Sequence, residues 1–259
     1  MVLATNIGNT SFTLSGKKDD RTHTVRHGSN LFNSQHDFMQ IISETIDFWE
    51  LTPESVTDVI ISSVNPHLTR HLENAISELF SIMPKIVNAS MDMKLDLSHY
   101  DTRLIGSDRI VVCEAAITKY PPPLIVFDFG TATTINVIDS NSCFIGGSIL
   151  PGLMMGINAL SKDTALLPSV FLSPHTPLIG QNTKECITSG AIFGNAAMLD
   201  GMTRKIEKLL GQKVTVIVTG GNAENIVPVC EHPINHEPDL LLEGLYCLYQ
   251  RNFQIIGNK

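Results

Sequence analysis

The 259-residue chain is 43% apolar and 17% charged, with 18 glycines and a net charge of -8, a balance that excludes a disordered or fibrous protein and leaves room for one large or two ordinary domains. Its 18 Lys and Arg are scattered, and the densest pair, Lys17-Lys18, runs at once into Asp19-Asp20, so a nucleic-acid surface, which needs clustered positive charge, is disfavoured. Five cysteines without C-x-x-C spacing (Cys113, Cys143, Cys186, Cys230, Cys247) read as free thiols of a reducing cytoplasm, and with no secretory leader and no apolar run near the roughly 20 residues of a membrane span, a soluble cytoplasmic protein is expected.

In chain order, Val2 to Thr5, Thr10 to Ser15 and Arg21 to Arg26 read as three short strands punctuated by Gly8 and Gly16. His36 to Trp49, apolar at Phe38, Ile41, Ile42, Ile46 and Trp49, keeps the helical period. VTDVIISSVNP predicts a buried strand ending at Ser62-Ser63, and HLTRHLENAISELF a second helix. LIGSDRIVVCEAA opens an amphipathic helix with Asp108 in its first turn. After Tyr120-Pro121-Pro122-Pro123, a stiff crossing, LIVFDFG, TTINVID and CFIGGSI form a second strand triplet. A helical stretch from Gly152 to Ser161, a long helix from Thr183 to about Leu210, the strand KVTVIVTGG and a closing helix from Leu240 to Gln250 follow.

The two triplets imply an internal duplication of architecture, with domains at residues 1–119 and 120–259. Each half delivers a strand into a Gly/Thr turn: N-I-G-N-T at Asn6 to Thr10, and D-F-G-T-A-T-T at Asp128 to Thr134. Glycine lets backbone approach a ligand closely, and turn N–H groups and a Thr hydroxyl suit phosphate oxygens. One such turn alone is ordinary punctuation; two at matching places, with T-G-G-N-A at Thr219 to Ala223, suggest a nucleotide cleft between the halves. Asp128 ends an apolar strand, where a charge is costly to desolvate without a cation or donors to meet it, although a turn-capping role is equally open. Asp108 would in any case interact well with its helix dipole, and Arg109 could be an ordinary exposed helix residue. Gly190 and Gly194, four apart on the long helix, are expected to be close-packing positions.

Taken in order, N-I-G-N-T, I-S-S-V-N-P, L-I-G-S-D-R-I, D-F-G-T-A-T-T, G-G-S-I-L-P-G, T-A-L-L-P, I-G-Q-N-T-K-E-C-I-T-S-G and V-T-G-G-N-A resemble, over nearly the whole chain, the type III pantothenate kinases. The resemblance implies an α/β fold of two ribonuclease-H-like domains of the actin and sugar-kinase superfamily. It implies phosphorylation of pantothenate by ATP, the first committed step towards coenzyme A, with magnesium and a monovalent cation (potassium or ammonium), in a homodimer. Carried over residue by residue, Asp108 is the general base. Tyr100, Gly106, Ser107, Arg109 and Thr183 contact pantothenate, with Arg109 on its carboxylate. Asn6, Ile7, Gly8, Asn9, Thr10, Ser11, Phe12 and Thr13 form the first phosphate loop and Thr131 the second. Asp128 holds the monovalent cation, and Gly220 and Gly221 flank the adenosine.

The chain departs from the family pattern in two places. The first loop of the family begins with Asp, which helps to hold magnesium; here the position is Asn6, which keeps the shape and an acceptor oxygen but not the charge. The segment from Tyr100 to Gly106, Y-D-T-R-L-I-G, is one residue short and lacks the customary proline. Three readings follow: an active kinase slowed by Asn6, an impaired homologue that binds nucleotide or pantothenate as a regulatory protein, and a kinase of the same superfamily acting on another small hydroxyl compound.

Overall fold

The computed structural model describes residues 1–18, 21–164, 166–172 and 176–254; the Asp19-Asp20 pair and Ala165 of the T-A-L-L-P block lie outside the described residues. β1 (Val2–Ile7), β2 (Ser11–Lys18) and β3 (Arg21–Gly28) form an antiparallel meander. α1 (Gln35–Phe48) starts at Ser34, whose hydroxyl accepts the Asp37 N–H while the Asp37 carboxylate accepts the Ser34 N–H, a reciprocal cap for two otherwise orphaned donors. β4 (Asp58–Ser63) then runs parallel to β1, with Asn6 opposite Ser62. α2 (Pro66–Phe80) is capped by the Asn65 side chain, which accepts the Leu68 N–H, and proline suits its first position because that N–H would be unpaired anyway. β5 (Lys85–Ile86) completes the sheet order β3-β2-β1-β4-β5.

Successive strand residues face opposite sides of a sheet. Leu3 and Ile7 therefore join Phe12, Phe38, Ile42 and Leu72 in one core. Ala4 and Ile60 face the other way, towards Val111 on α3 (Ser107–Lys119).

The pattern repeats in β6 (Leu124–Phe129), β7 (Ala132–Ile138) and β8 (Phe144–Pro151), again an antiparallel meander. α4 (Leu153–Asp163) and α5 (Thr183–Leu210) follow. β9 (Thr215–Thr219) returns parallel to β6, then come α6 (Ala223–Ile226) and β10 (Asn235–His236), parallel to β9. The order β8-β7-β6-β9-β10, with the same strand directions, reproduces the first sheet. α5 has 28 residues, begins at the Asn182 cap and ends at Gly211 with φ of 68°, a left-handed stop that glycine adopts without strain. Its Ala196, Leu199 and Ile206 pack with Phe127, Phe129 and Ile135.

Contacts divide the chain into two compact units: Met1–Lys94, Asp101–Ala115 and the chain from Leu241 onward, and Leu95–Tyr100 with Ala116–Leu240. The first is discontinuous because α7 (Leu240–Phe253) rejoins it, burying Leu242, Leu245 and Leu248 with Ala4, Ile60 and Val111. Among the described residues no helix is long and apolar enough to cross a membrane.

The close-packing role expected of Gly190 and Gly194 is not met: a Cβ at either would find nothing within 4 Å. A tight helix contact is found instead at Gly244 on α7, where a Cβ would lie 2.3 Å from the Val111 carbonyl oxygen. Gly244→Ala is therefore expected to cost about 1–3 kcal/mol through overpacking, whereas Gly194→Ala should add about 0.5–1 kcal/mol by removing helix-interior backbone freedom. Urea unfolding midpoints measure both, and a shared sign would contradict this packing.

Candidate active site

In the first unit the parallel pair β1 and β4 ends with Ile7 beside Ser63, and the Val64 N–H donates to the Ile7 carbonyl at 3.1 Å. The turn after β1 is closed by the Gly8 N–H on the Ser11 carbonyl at 2.8 Å and braced by the Ser29 hydroxyl on the Asn9 carbonyl at 2.8 Å. Asn9, Thr10 and Ser11 are exposed, while the side chains of Ile7 and Phe12 are buried in the core. Those two can offer a ligand only their backbone. Asn6 is buried, and its Oδ1 finds no hydrogen-bond partner among the described residues, an acceptor left open in a place where that is costly.

Asn6 and Ser62 are register partners, and Ser62 leads to the start of α3. The Ser62 and Ser107 hydroxyls are 3.0 Å apart; Ser107 Oγ also accepts the Ser63 N–H at 3.0 Å and donates to the Ser63 carbonyl at 3.0 Å. Ser107 thus fastens the head of α3 to the end of β4. One residue on, Asp108 Oδ1 accepts the Arg109 N–H at 2.8 Å, and a Cβ on Gly106 would lie 2.5 Å from that oxygen. Burial pushes the Asp108 carboxyl above the ordinary Asp range, against the opposing pull of the Arg109 N–H and the Arg109 charge. A half-buried carboxylate with a raised pKa at a helix start suits proton acceptance nearer neutral pH. Arg109 is itself only 8% exposed.

In the second unit Asp128 pairs across the sheet with Thr134 and Thr219. The turn that follows it is gripped from two sides. A Cβ on Gly152 would fall 2.1 Å from the Thr131 carbonyl oxygen, and one on Gly220, whose φ is +95°, would fall 2.5 Å from Asp128 Oδ1. Asn222 Nδ2 donates to the carbonyls of Phe129 and Gly130 at 3.2 and 3.3 Å. By contrast a Cβ on Gly221 meets open space, so any need for glycine there would come from a ligand. Tyr100 packs edge-on against Phe144, with ring centroids 4.9 Å apart. Thr183 heads α5 and lines a cavity of about 530 Å³ with Gly152, Ile157, Cys186 and Gly190.

The structure thus gathers Asn6 to Thr13 with Gly106 to Arg109 in one unit, and Asp128 and Thr131 with Gly220 in the other, while Tyr100 and Thr183 occupy separate elements of the second. Sequence reading missed the bracing roles of Ser62, Gly152 and Asn222. Gly152 and Asn222 were visible only as members of the G-G-S-I-L-P-G and T-G-G-N-A blocks.

Two sheets of the same five-strand order, each with a Gly/Thr turn at the carboxyl end of its central strand, define the actin-like and sugar-kinase class of α/β fold. Solved structures agree on the fold. A Baf family protein from Campylobacter jejuni matches with a TM-score of 0.59 at 22% identity, covering 96% of this chain and 97% of its own. The activator of 2-hydroxyisocaproyl-CoA dehydratase from Clostridium difficile, solved with ADPNP bound, matches with a TM-score of 0.53 at 11% identity, covering 96% and 95%. The family model for type III pantothenate kinase matches residues 2–205, and a type III pantothenate kinase from an Exiguobacterium species is 34% identical over 97% of this chain and 99% of its own. The chain belongs to the type III pantothenate kinase family.

The raised Asp108 pKa carries a stability consequence. The folded state holds this proton more tightly than the unfolded one, so the contribution is fully present below the ordinary Asp value and is lost as pH rises through the folded value. Asp108→Asn removes the titration, and the fall in unfolding free energy from mildly acid to neutral pH should be smaller than in the parent. Denaturant titrations at several pH values measure this; an equal fall in both proteins would rule out a raised Asp108 pKa.

Proposed function

We propose that the protein transfers the terminal phosphoryl group of ATP to the primary hydroxyl of pantothenate, committing it to coenzyme A synthesis in the cytoplasm. The observation that carries this reading is the half-buried, pKa-raised Asp108 carboxylate at the head of α3, in a chain whose family performs this reaction. Phosphoryl transfer asks mainly for positioning and charge neutralisation. Asp108 takes the hydroxyl proton, and Arg109 meets the pantothenate carboxylate as a charge-assisted pair. Gly106 leaves room for the Asp108 carboxylate, and Ser107 holds the loop to β4. Tyr100 and Thr183 complete the substrate contacts.

For ATP, residues 6–13 offer backbone N–H groups and the hydroxyls of Thr10 and Ser11, and Thr131 adds a second phosphate contact. Asp128 supplies a hard oxygen donor of the kind that suits potassium or ammonium. The open Asn6 Oδ1 fits a water of a hydrated magnesium ion, as a neutral acceptor would. Magnesium bound with ATP neutralises phosphate charge. A homodimer is supported by apolar side chains exposed along the second unit, among them Ile149, Leu166, Phe171 and Ile179 at 65, 91, 89 and 81%, a surface of the kind that partners cover.

An assay of ATP-dependent phosphopantothenate formation at saturating ATP, magnesium and potassium tests the reading. Turnover is expected, with an acid limb above the ordinary Asp range, and Asp108→Asn should lower kcat by about 10²–10⁴. Asn6→Asp should reduce the magnesium concentration needed for half-maximal rate. Absence of product with every cation would reject the activity, and turnover appearing only in Asn6→Asp would mark the natural chain as a binding protein.

A further inference from the structure

We infer that Asn222 is a positioning residue for the nucleotide-binding turn Asp128–Thr131, a role that rests on the reading of that turn as a phosphate and cation contact. Asn222 makes three hydrogen bonds to two consecutive carbonyls. Its backbone N–H reaches the Phe129 oxygen at 3.1 Å, and its Nδ2 reaches the Phe129 and Gly130 oxygens at 3.2 and 3.3 Å. Since both neighbours are carbonyl oxygens, only the NH₂ end of the amide can face them.

The approach is close because of what precedes it. Gly220 adopts φ of +95°, and any Cβ there would run into the Phe129 backbone at 2.5–2.6 Å. The Ala223 N–H closes this bend on the Gly220 carbonyl at 3.1 Å. The segment after β9 is therefore laid directly along the turn after β6, and Asn222 is the side chain that joins them.

The chemistry explains why an amide serves here. A turn that receives phosphate must present donors, and uncompensated carbonyl dipoles beside it oppose the incoming charge. Two carbonyls tied to Nδ2 are neutralised and fixed in direction. A carboxylate of the same shape would set oxygen against oxygen and add a charge next to Asp128. A serine could restore one donor at most.

The test compares Asn222→Ala, Asn222→Ser and Asn222→Asp with the parent, and with Thr131→Ala as a reference on the turn itself. KM for ATP, the potassium concentration for half-maximal rate, KM for pantothenate, kcat and Tm are measured for each. Loss of two side-chain hydrogen bonds should raise the ATP and potassium constants about tenfold in Asn222→Ala. Asn222→Ser should recover part of this, Asn222→Asp should be at least as impaired as Asn222→Ala, and the pantothenate KM should stay within about twofold throughout. ATP and potassium constants unchanged in the Asn222 variants but raised in Thr131→Ala would overturn the positioning role and leave the turn's assignment intact. If Thr131→Ala is also unchanged, the assignment of the turn fails and the proposal with it. A uniform rise of all constants that tracks a fall in Tm, without rescue by serine, would mark Asn222 as merely structural.

Discussion

Parallel pairing at the centre of each sheet is the constraint from which the rest follows. A parallel neighbour cannot be reached by a tight hairpin, so the chain must leave the sheet and return through helix. β1 is joined to β2 by a hairpin on one side and meets β4 only after α1; β6 stands in the same relation to β7 and β9. Each unit consequently sets a tight Gly/Thr turn beside the end of a parallel strand. Backbone groups at that edge have no further strand to pair with, and ligands of open α/β sheets bind there. Asn6 with Ser62, and Asp128 with Thr219, are the two register pairs at which this happens.

The duplicated meanders, the helices after them and the turns were legible in the sequence because they rest on local signals: period-two and period-3.6 apolar spacing, and glycines between them. The acids were legible as types, since Asp128 ends an apolar strand and Asp108 opens a helix. What was not legible is non-local. The leucines of α7 announce an apolar face, but nothing in their spacing says that this face covers Ala4 and Ile60, far earlier in the chain. Glycines carry the same ambiguity. Gly190 and Gly194 look like a packing pair, yet a Cβ is forbidden at Gly244, because the Val111 backbone lies against it. The bracing contacts of Ser107, which the sequence offered only as a substrate contact, and of Asn222 escaped for the same reason, since both reach backbone atoms of distant segments.

Electrostatically, the head of α3 in the first unit is set by one half-buried acid. Asp108 is held above its ordinary pKa by loss of water and drawn back by Arg109, a balance that a second carboxylate on the same face would tilt further upward. The neutral amide of Asn6 adds no negative charge to the first unit.

The return of α7 also sets an order of events in biosynthesis. The first sheet is complete in sequence by Ile86, but the layer over its Ala4 and Ile60 face is not finished until Leu248 has been made. At ordinary rates of translation the intervening residues of the second unit take on the order of ten seconds to emerge. Through that interval the nascent first unit presents a strip of apolar sheet to the cell, and the second unit, continuous from Ala116 to Leu240, is free to fold before it. The whole of the second unit, Leu95–Tyr100 with Ala116–Leu240, is therefore synthesised before the last segment of the first is available to cover it.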